Sequence, residues 1–406
     1  MKRIVLTFTC IVLLLSMAVF PSSAEVVTGD VNGDGAVDSL DALVAIRLLA
    51  DLTYTGKVQK EALFVSGDGT VDMADAALLL RKAADPTVEL FGIPADRTVA
   101  ETEDGTLYYA ENKLKLMCLN VRHSYGEAPN TRPVRITRIQ KLLAEQLPAV
   151  IGFQEVRTWW MNEDAAQSSQ PGLPDIMPTE NYQGYVYYRN EQYLTDTAGD
   201  LDGREGCAIF YDTSVVTLLQ KGVYWLSETP NTESKPELSG TYRIAVWGKF
   251  RINATGEEFY FNTAHIDTVD EIQPYQYNVM IEQSKLIAQT YGDAPIVYCG
   301  DYNFCKENDP SEGYAALQAS GVTDVALALG DTTGTFPNYG QNTGTANPRG
   351  DYFCITGDVL PASYWVETRV WDPETEEAFY LEGETYKNEY GYYSDHSPIF
   401  MEAVLY

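Results

Sequence analysis

The sequence predicts a mixed α/β (α+β) sandwich over most of its length, preceded by a small all-α module. Three observations carry that expectation. From about residue 107, strand-like apolar runs alternate with helix-like stretches. A segment near the N-terminus is written twice, and polar residues recur at the ends of the strand-like runs. At 406 residues, 45% hydrophobic and 12% aromatic, the chain is too long for one average domain and has ample material for a core.

Residues 1–24 read as a secretory signal. Lys2 and Arg3 form a charged start, IVLLLSMAVF (11–20) is the apolar run, and Ser22-Ser23-Ala24 supplies small residues before a cut ahead of Glu25. The run is too short for a membrane span, so a secreted, extracellular protein without a span is expected. Cys10 precedes the run, and five cysteines follow it: Cys118, Cys207, Cys299, Cys305 and Cys354. Their number is odd and most sit in strand-like runs such as KLMCLN and IVYCGD. They are read as buried thiols rather than a disulfide framework.

The repeat comes next. DVNGDGAVDSLDALVAIRLL (30–49) and FVSGDGTVDMADAALLLRKA (64–83) align Gly33 with Gly67, Asp34 with Asp68, Gly35 with Gly69, Asp38 with Asp72 and Asp41 with Asp75. The first copy fits a twelve-residue calcium loop. Its oxygen ligands would be Asp30, Asn32, Asp34, the Ala36 carbonyl, Asp38 and Asp41, with Gly35 where the backbone turns sharply. Each loop leads into a helix-like apolar run.

This pair resembles the dockerin module of cellulosomal proteins over residues 28–86. The resemblance implies bound Ca2+ and a cohesin partner on a scaffold protein, as in a cellulosome-like complex. In the second copy Asp68, Asp72 and Asp75 keep the pattern, but Phe64 and Ser66 stand at the first and third ligand positions. Recognition positions ten and eleven are Ser39-Leu40 and Met73-Ala74, so the two faces differ. Residues 87–106, with little periodicity, are expected to be a linker.

The larger domain is expected over 107–406. KLKLMCLN (113–120) and AVIGFQE (149–155) read as strands. Between them PVRITRIQKLLAEQL places Ile136, Ile139, Leu142, Leu143 and Leu147 on one helix face. CAIFYD, RIAVWGKF, EEFYFNTAHI and PIVYCGDYN are further strands, with a helical stretch near 277–290. Polar residues fall at the ends of these runs: Asn120, Glu155, Glu205, His265, Asp301 with Asn303, Asp351, and Asp395-His396. Any one of them alone is better read as a turn or cap residue.

Together, in this order, they resemble the endonuclease/exonuclease/phosphatase superfamily of DNase I-like proteins. The resemblance spans about residues 113–406, and the QEV, GDxN and SDH elements carry it. It implies a four-layer sandwich of two packed sheets with outer helices, and a metal-dependent hydrolysis of phosphoester bonds. Such chemistry needs an activated water, neutralisation of the phosphorane and protonation of the leaving oxygen. Glu155 with Asn120 and Asp395 offers an oxygen shell suited to Mg2+ or Mn2+. By resemblance, Asp301 orients and deprotonates the water, and Asn303 holds it or a phosphoryl oxygen. His396, oriented by Asp351, contacts phosphate and transfers a proton. His265 is a second phosphate-contacting imidazole set by Glu205, and Arg157 pairs with a phosphate oxygen.

His123, the third of three histidines, is read as a loop residue without catalytic consequence. Trp159-Trp160 open a segment, 157–204, with little pattern, and serve equally well as packing or as substrate-shaping residues. Two other classes are kept open: a carbohydrate-active hydrolase built on paired carboxylates, and a catalytically inactive binding module. The substrate could be nucleic acid, phospholipid or a small phosphate ester. A net charge of −30 disfavours avid binding of long polyanions. The Cys-Asp-Arg element usual in inositol polyphosphate phosphatases is missing near RGDYF.

Overall fold

The computed structural model describes residues 26–405 apart from 51, 53, 68–69, 94–96, 102–106, 112, 164–169, 191–203, 305–310, 343–346 and 382–386. Residues 1–24, expected to be a secretory signal, and Asp68 and Cys305 therefore lie outside the described residues. Two compact units are divided after Glu111.

In the first unit, helices α1 (Ser39–Leu49) and α2 (Met73–Ala84) follow the two loops. Each begins with a reciprocal cap in which an aspartate at the start and one three residues on satisfy each other's backbone amides: Asp38 with Asp41, and Asp72 with Asp75. In the first loop Asp30 accepts from the amides of Asp34 at 3.0 Å and Gly35 at 2.9 Å, and Asp41 accepts from Asn32 at 3.1 Å. In the second, Phe64 leaves the ligand position and joins the core of the unit with Val31, Leu63, Val65 and Leu79. Asp75 there accepts from the amides of Val65, Ser66 and Asp72. An apolar plug thus stands where the first loop has Asp30. Calcium titration of the full chain is expected to give one tight site, lost in Asp34→Ala, and a second tight site would contradict this. The stretch expected to be a linker, 87–106, includes β1 (Arg97–Glu101), which pairs with β2 (Leu107–Glu111) beyond it, and the second unit starts at Asn112 rather than at 107.

The second unit runs β3 (Leu114–Asn120), α3 (Arg132–Gln146), β4 (Val150–Arg157), β5 (Tyr182–Tyr188), β6 (Glu205–Asp212) and β7 (Val216–Trp225). There follow β8 (Ile244–Ile252), β9 (Glu258–His265), α4 (Gln273–Tyr291), β10 (Ile296–Asp301) and α5 (Glu312–Ala319). Short β11 (Thr323–Asp324) and α6 (Val325–Ala328) lead to β12 (Asp351–Thr356) and β13 (Val359–Val366). The hairpin β14 (Arg369–Trp371) and β15 (Ala378–Tyr380) precedes the last strand, β16 (Ile399–Leu405).

One sheet has the order β13-β16-β3-β4-β6-β5 and the other β11-β12-β10-β9-β8-β7. Side-chain alternation builds the layers. Leu116, Cys118, Val297 and Cys299 point between the sheets, into a core shared with Val150, Ile209, Val246, Phe261 and Met401. Their neighbours Met117 and Leu119 face the other way and pack on Ile136, Ile139, Leu142 and Leu143 of α3. Ile296 and Tyr298 likewise pack on Tyr277, Met280 and Ile281 of α4. Helix, sheet, sheet, helix is the four-layer sandwich the resemblance implied.

The sheets approach closely at Gly152, where an added Cβ would stand 2.7 Å from Cys299 Sγ and 2.8 Å from Thr263 Oγ1. Cys118, Cys207, Cys299 and Cys354 are all free and buried, as expected. Trp159 and Trp160 stack at 5.5 Å inside the α3 layer, with the Arg132 guanidinium 4.5 Å from the Trp159 ring. They are packing residues.

Candidate active site

The site lies at the C-terminal ends of the parallel pairs β3–β4 and β9–β10, and sheet register assembles it. Asp301 at the end of β10 pairs across the ladder with His265 of β9 on one side and Asp351 of β12 on the other. Residues in register share a face, so three side chains form one polar rung. On the facing sheet, β4 breaks register between Phe153 and Val156, and Glu155 there has φ 56°. The bulge turns Glu155 out of the strand alternation toward the rung. Arg122 (φ 62°) and Asn303 (φ 55°) also take the left-handed conformation at this site. Strain of that kind, about 1–3 kcal/mol per residue, persists only where surroundings hold it.

The central contacts are short. His396 Nδ1 lies 2.8 Å from Asp351 Oδ2, and its Nε2 lies 3.5 Å from Asp301 Oδ2. Thr335, which sequence reading missed, donates its hydroxyl to Asp351 Oδ2 at 2.6 Å and accepts from the amides of Gly350 and Asp351. The Phe336 ring packs on the His396 imidazole at 4.6 Å. Asn120 Nδ2 bridges Glu155 Oε1 (3.0 Å) and Asp301 Oδ2 (2.9 Å). Asn303 donates its side-chain amide to the Ile266 carbonyl at 2.9 Å and its backbone amide to Asp301 Oδ1 at 3.0 Å. His265 Nε2 is 3.5 Å from Asp301 Oδ2.

Three of the expected residues meet other partners in the structure. Glu205 does not set His265: its carboxylate pairs with Arg189 at 2.8 Å and lies 3.8 Å from His123. Asp395 gives one oxygen to Arg122 at 2.9 Å and the other to the Ser394 hydroxyl at 3.0 Å, so an in-chain cation stands at the carboxylate assigned to a metal. His123 reaches the site. Its Nδ1 contacts Glu155 Oε2, and its backbone amide donates to the same oxygen at 2.7 Å. Two of these outcomes share a cause, because residues 122 and 123 belong to the turn after β3, whose path only the fold decides. Arg157 is buried on β4 opposite Glu205 in the ladder.

Two further arginines carried no motif signal. Arg189 and Arg243 line a small cavity with Glu205 and His265. Arg243 is 7% exposed, and among the described residues its Nε and Nη1, like Arg189 Nε, have no hydrogen-bond partner. Arg243 Nε does lie 3.9 Å from Asp267 Oδ2, but buried guanidinium nitrogens with no hydrogen bond, beside an imidazole, suit an oxyanion. The only sequence cue is position: each arginine flanks the end of a strand.

Electrostatics separate the groups. Burial raises Asp301 to about 7, the Asp351 and Glu155 carboxylates adding to the effect against His396 and Asn120. Burial opposes charge on His396, but Asp351 and Asp301 outweigh it and hold the imidazole well above its usual range. His265 is pushed well below, by burial and then by Arg243. Burial works against the ionised Glu155, yet His123 and His265 keep it well below the carboxylate range. The two carboxylates Asp301 and Glu155 are thus shifted in opposite directions, as are the imidazoles His396 and His265.

The donor set also fits a hard divalent cation. Ligand atoms of Glu155, His265 and Asp301 lie within 4.8 Å of one another, as do those of Asp301, Asp351 and His396. Asp351 Oδ1 is buried without a hydrogen-bond partner among the described residues.

Residues 28–82 match the dockerin type I domain, and residues 117–396 match the endonuclease/exonuclease/phosphatase family. No curated protein matches the chain. Among solved structures, the mannosyl-6-phosphatase of Bacteroides thetaiotaomicron VPI-5482 is 23% identical and superposes with a TM-score of 0.54 over 72% of this chain and 100% of its own. An endonuclease/exonuclease/phosphatase from Bacteroides vulgatus gives 22% and 0.55, over 73% of this chain and 100% of its own. The catalytic domain of human nocturnin, solved with bound sulfate, gives 15% and 0.52, over 76% and 97%. These likenesses show the fold. With a family model matching well over half its length around the site just described, the chain belongs to the endonuclease/exonuclease/phosphatase family and carries a dockerin type I module.

Proposed function

We propose that this chain is a secreted hydrolase of phosphoester bonds that works with Mg2+ or Mn2+ and is tethered through its dockerin to a cohesin-bearing scaffold. The observation that supports this most is the run of contacts Thr335–Asp351–His396–Asp301, because it pairs a protonated imidazole with a carboxylate near neutrality. Asp301 takes the proton of the attacking water, and Asn303, fixed to the Ile266 carbonyl, steadies that water or a phosphoryl oxygen. His396, held by Asp351, contacts the phosphate and gives a proton to the leaving oxygen. His265 remains neutral and hydrogen-bonds a phosphoryl oxygen, with Arg189, Arg243 and Arg157 supplying positive charge around it.

Glu155, oriented by the Asn120 amide, would hold the cation together with its neighbours in the cluster. When bound, that ion supplies positive charge against the developing phosphorane. With a net charge of −30, a small phosphate ester is favoured over long nucleic acid. The test is a panel of sugar phosphates, bis-aryl phosphate, sphingomyelin, RNA and plasmid DNA with Mg2+ or Mn2+. Turnover of at least one ester that stops on chelation is the expected result. Cleavage of xylan or cellulose with none of these esters touched would sink the reading.

A further inference from the structure

The turn after β3 sets two in-chain cationic groups against the carboxylates of the site. Arg122 lies 2.9 Å from Asp395 Oδ2, and the next residue, His123, stands on Glu155. Asp395 is 1% exposed and its other oxygen accepts from Ser394, so each carboxylate oxygen has an in-chain donor. Among the described residues it belongs to neither group of metal-competent side chains.

The backbone that carries Arg122 is fixed. The turn is clamped from α3 by the buried Arg135, whose Nη1 donates to the Val121 carbonyl and Nη2 to the Ser124 carbonyl, each at 2.5 Å. The Arg132 amide fixes the Tyr125 carbonyl at 2.7 Å. Arg122 Nε reaches Ser124 Oγ at 3.3 Å and its backbone amide donates to Asn120 Oδ1 at 2.9 Å, which ties the strained φ of 62° into the site. Releasing Asp395 to a metal would part a carboxylate side chain that is 2% exposed from an arginine side chain that is 38% exposed and carried on a pinned turn.

We propose that Arg122 is a resident counter-cation that keeps Asp395 out of the metal shell, leaving one divalent ion per catalytic domain on the Glu155 side. Arg122 is thus a positioning residue that sets metal stoichiometry. This rests on the metal-dependent reading above, and the test separates the two. Mn2+ binding to the full-length chain, saturated with Ca2+, is followed by electron paramagnetic resonance of the free ion. The wild type is expected to bind one Mn2+ that Glu155→Gln abolishes. Asp395→Asn leaves the affinity within about twofold, Arg122→Met adds a second ion or tightens binding about tenfold, and Arg122→Lys restores wild-type behaviour. Wild-type chain that binds no Glu155-dependent Mn2+ overturns the metal-dependent reading itself. Binding that weakens about tenfold or more in Asp395→Asn, or that Arg122→Met leaves unchanged, overturns the role of Arg122 alone.

Discussion

Replacing His396 by alanine is expected to lower kcat by about 10²–10⁴, the range that positioned proton transfer contributes. The imidazole is 5% exposed and held between Asp351 and Asp301, two carboxylates that keep it protonated through neutral pH. In the proposed mechanism its loss removes both a phosphate contact and the proton source for the leaving oxygen. A substrate whose leaving group needs little protonation, such as an aryl phosphate, should suffer less than an alkyl ester under the same conditions. Steady-state kinetics on both esters checks this. Equal activity of wild type and variant on the alkyl ester would remove His396 from the chemistry and leave SDH as a polar turn.

Asp301→Asn is expected to cost a similar factor in kcat/KM and to change the pH profile. Asp301 must be ionised to accept a proton, and burial raises it to about 7, so the wild-type profile has an acid limb below neutrality. With a divalent cation bound, the limb moves to lower pH. The variant should lose that limb.

Stability moves in the opposite direction. The folded chain holds the Asp301 proton more tightly than the unfolded chain does, so stability falls as pH rises from the ordinary carboxylate range to about 7. Above that pH the native state carries a buried charge that the asparagine lacks. In metal-free protein at pH 8 the variant should therefore melt a few degrees higher while being nearly inactive. A lower melting temperature at pH 8 would show that the Asp301 carboxylate is a structural ion, not a destabilised base.

Much of this site was legible before the fold was known. GDxN, QEV and SDH place Asp301, Asn303, Glu155 and His396, and the structure brings all four together. The pairing of His396 with Asp351 rather than with its neighbour Asp395 was also legible, and the ladder between β10 and β12 places Asp351 beside Asp301. The reading failed where a side chain's partner depends on a turn or a bulge. Glu205 was matched to His265 but pairs with Arg189, a residue on the adjacent strand's continuation. His123 was set aside because a histidine three residues beyond a strand-end asparagine has no periodicity to aim it.

The sequence by itself determined the elements, the N-terminal repeat and the chemical inventory. Apolar spacing of 2 and 3.6 residues sets strands and helices locally, and carboxylates and imidazoles declare their chemistry by type. The tertiary structure decided the pairings that no motif carries: Glu205 with Arg189, His123 with Glu155 and Arg122 with Asp395. Register across β9, β10 and β12 builds the rung, the bulge at Glu155 swings one carboxylate onto it, and the Arg135 clamp delivers Arg122 to Asp395. Those placements depend on contacts between residues far apart in the chain, and no local pattern encodes them.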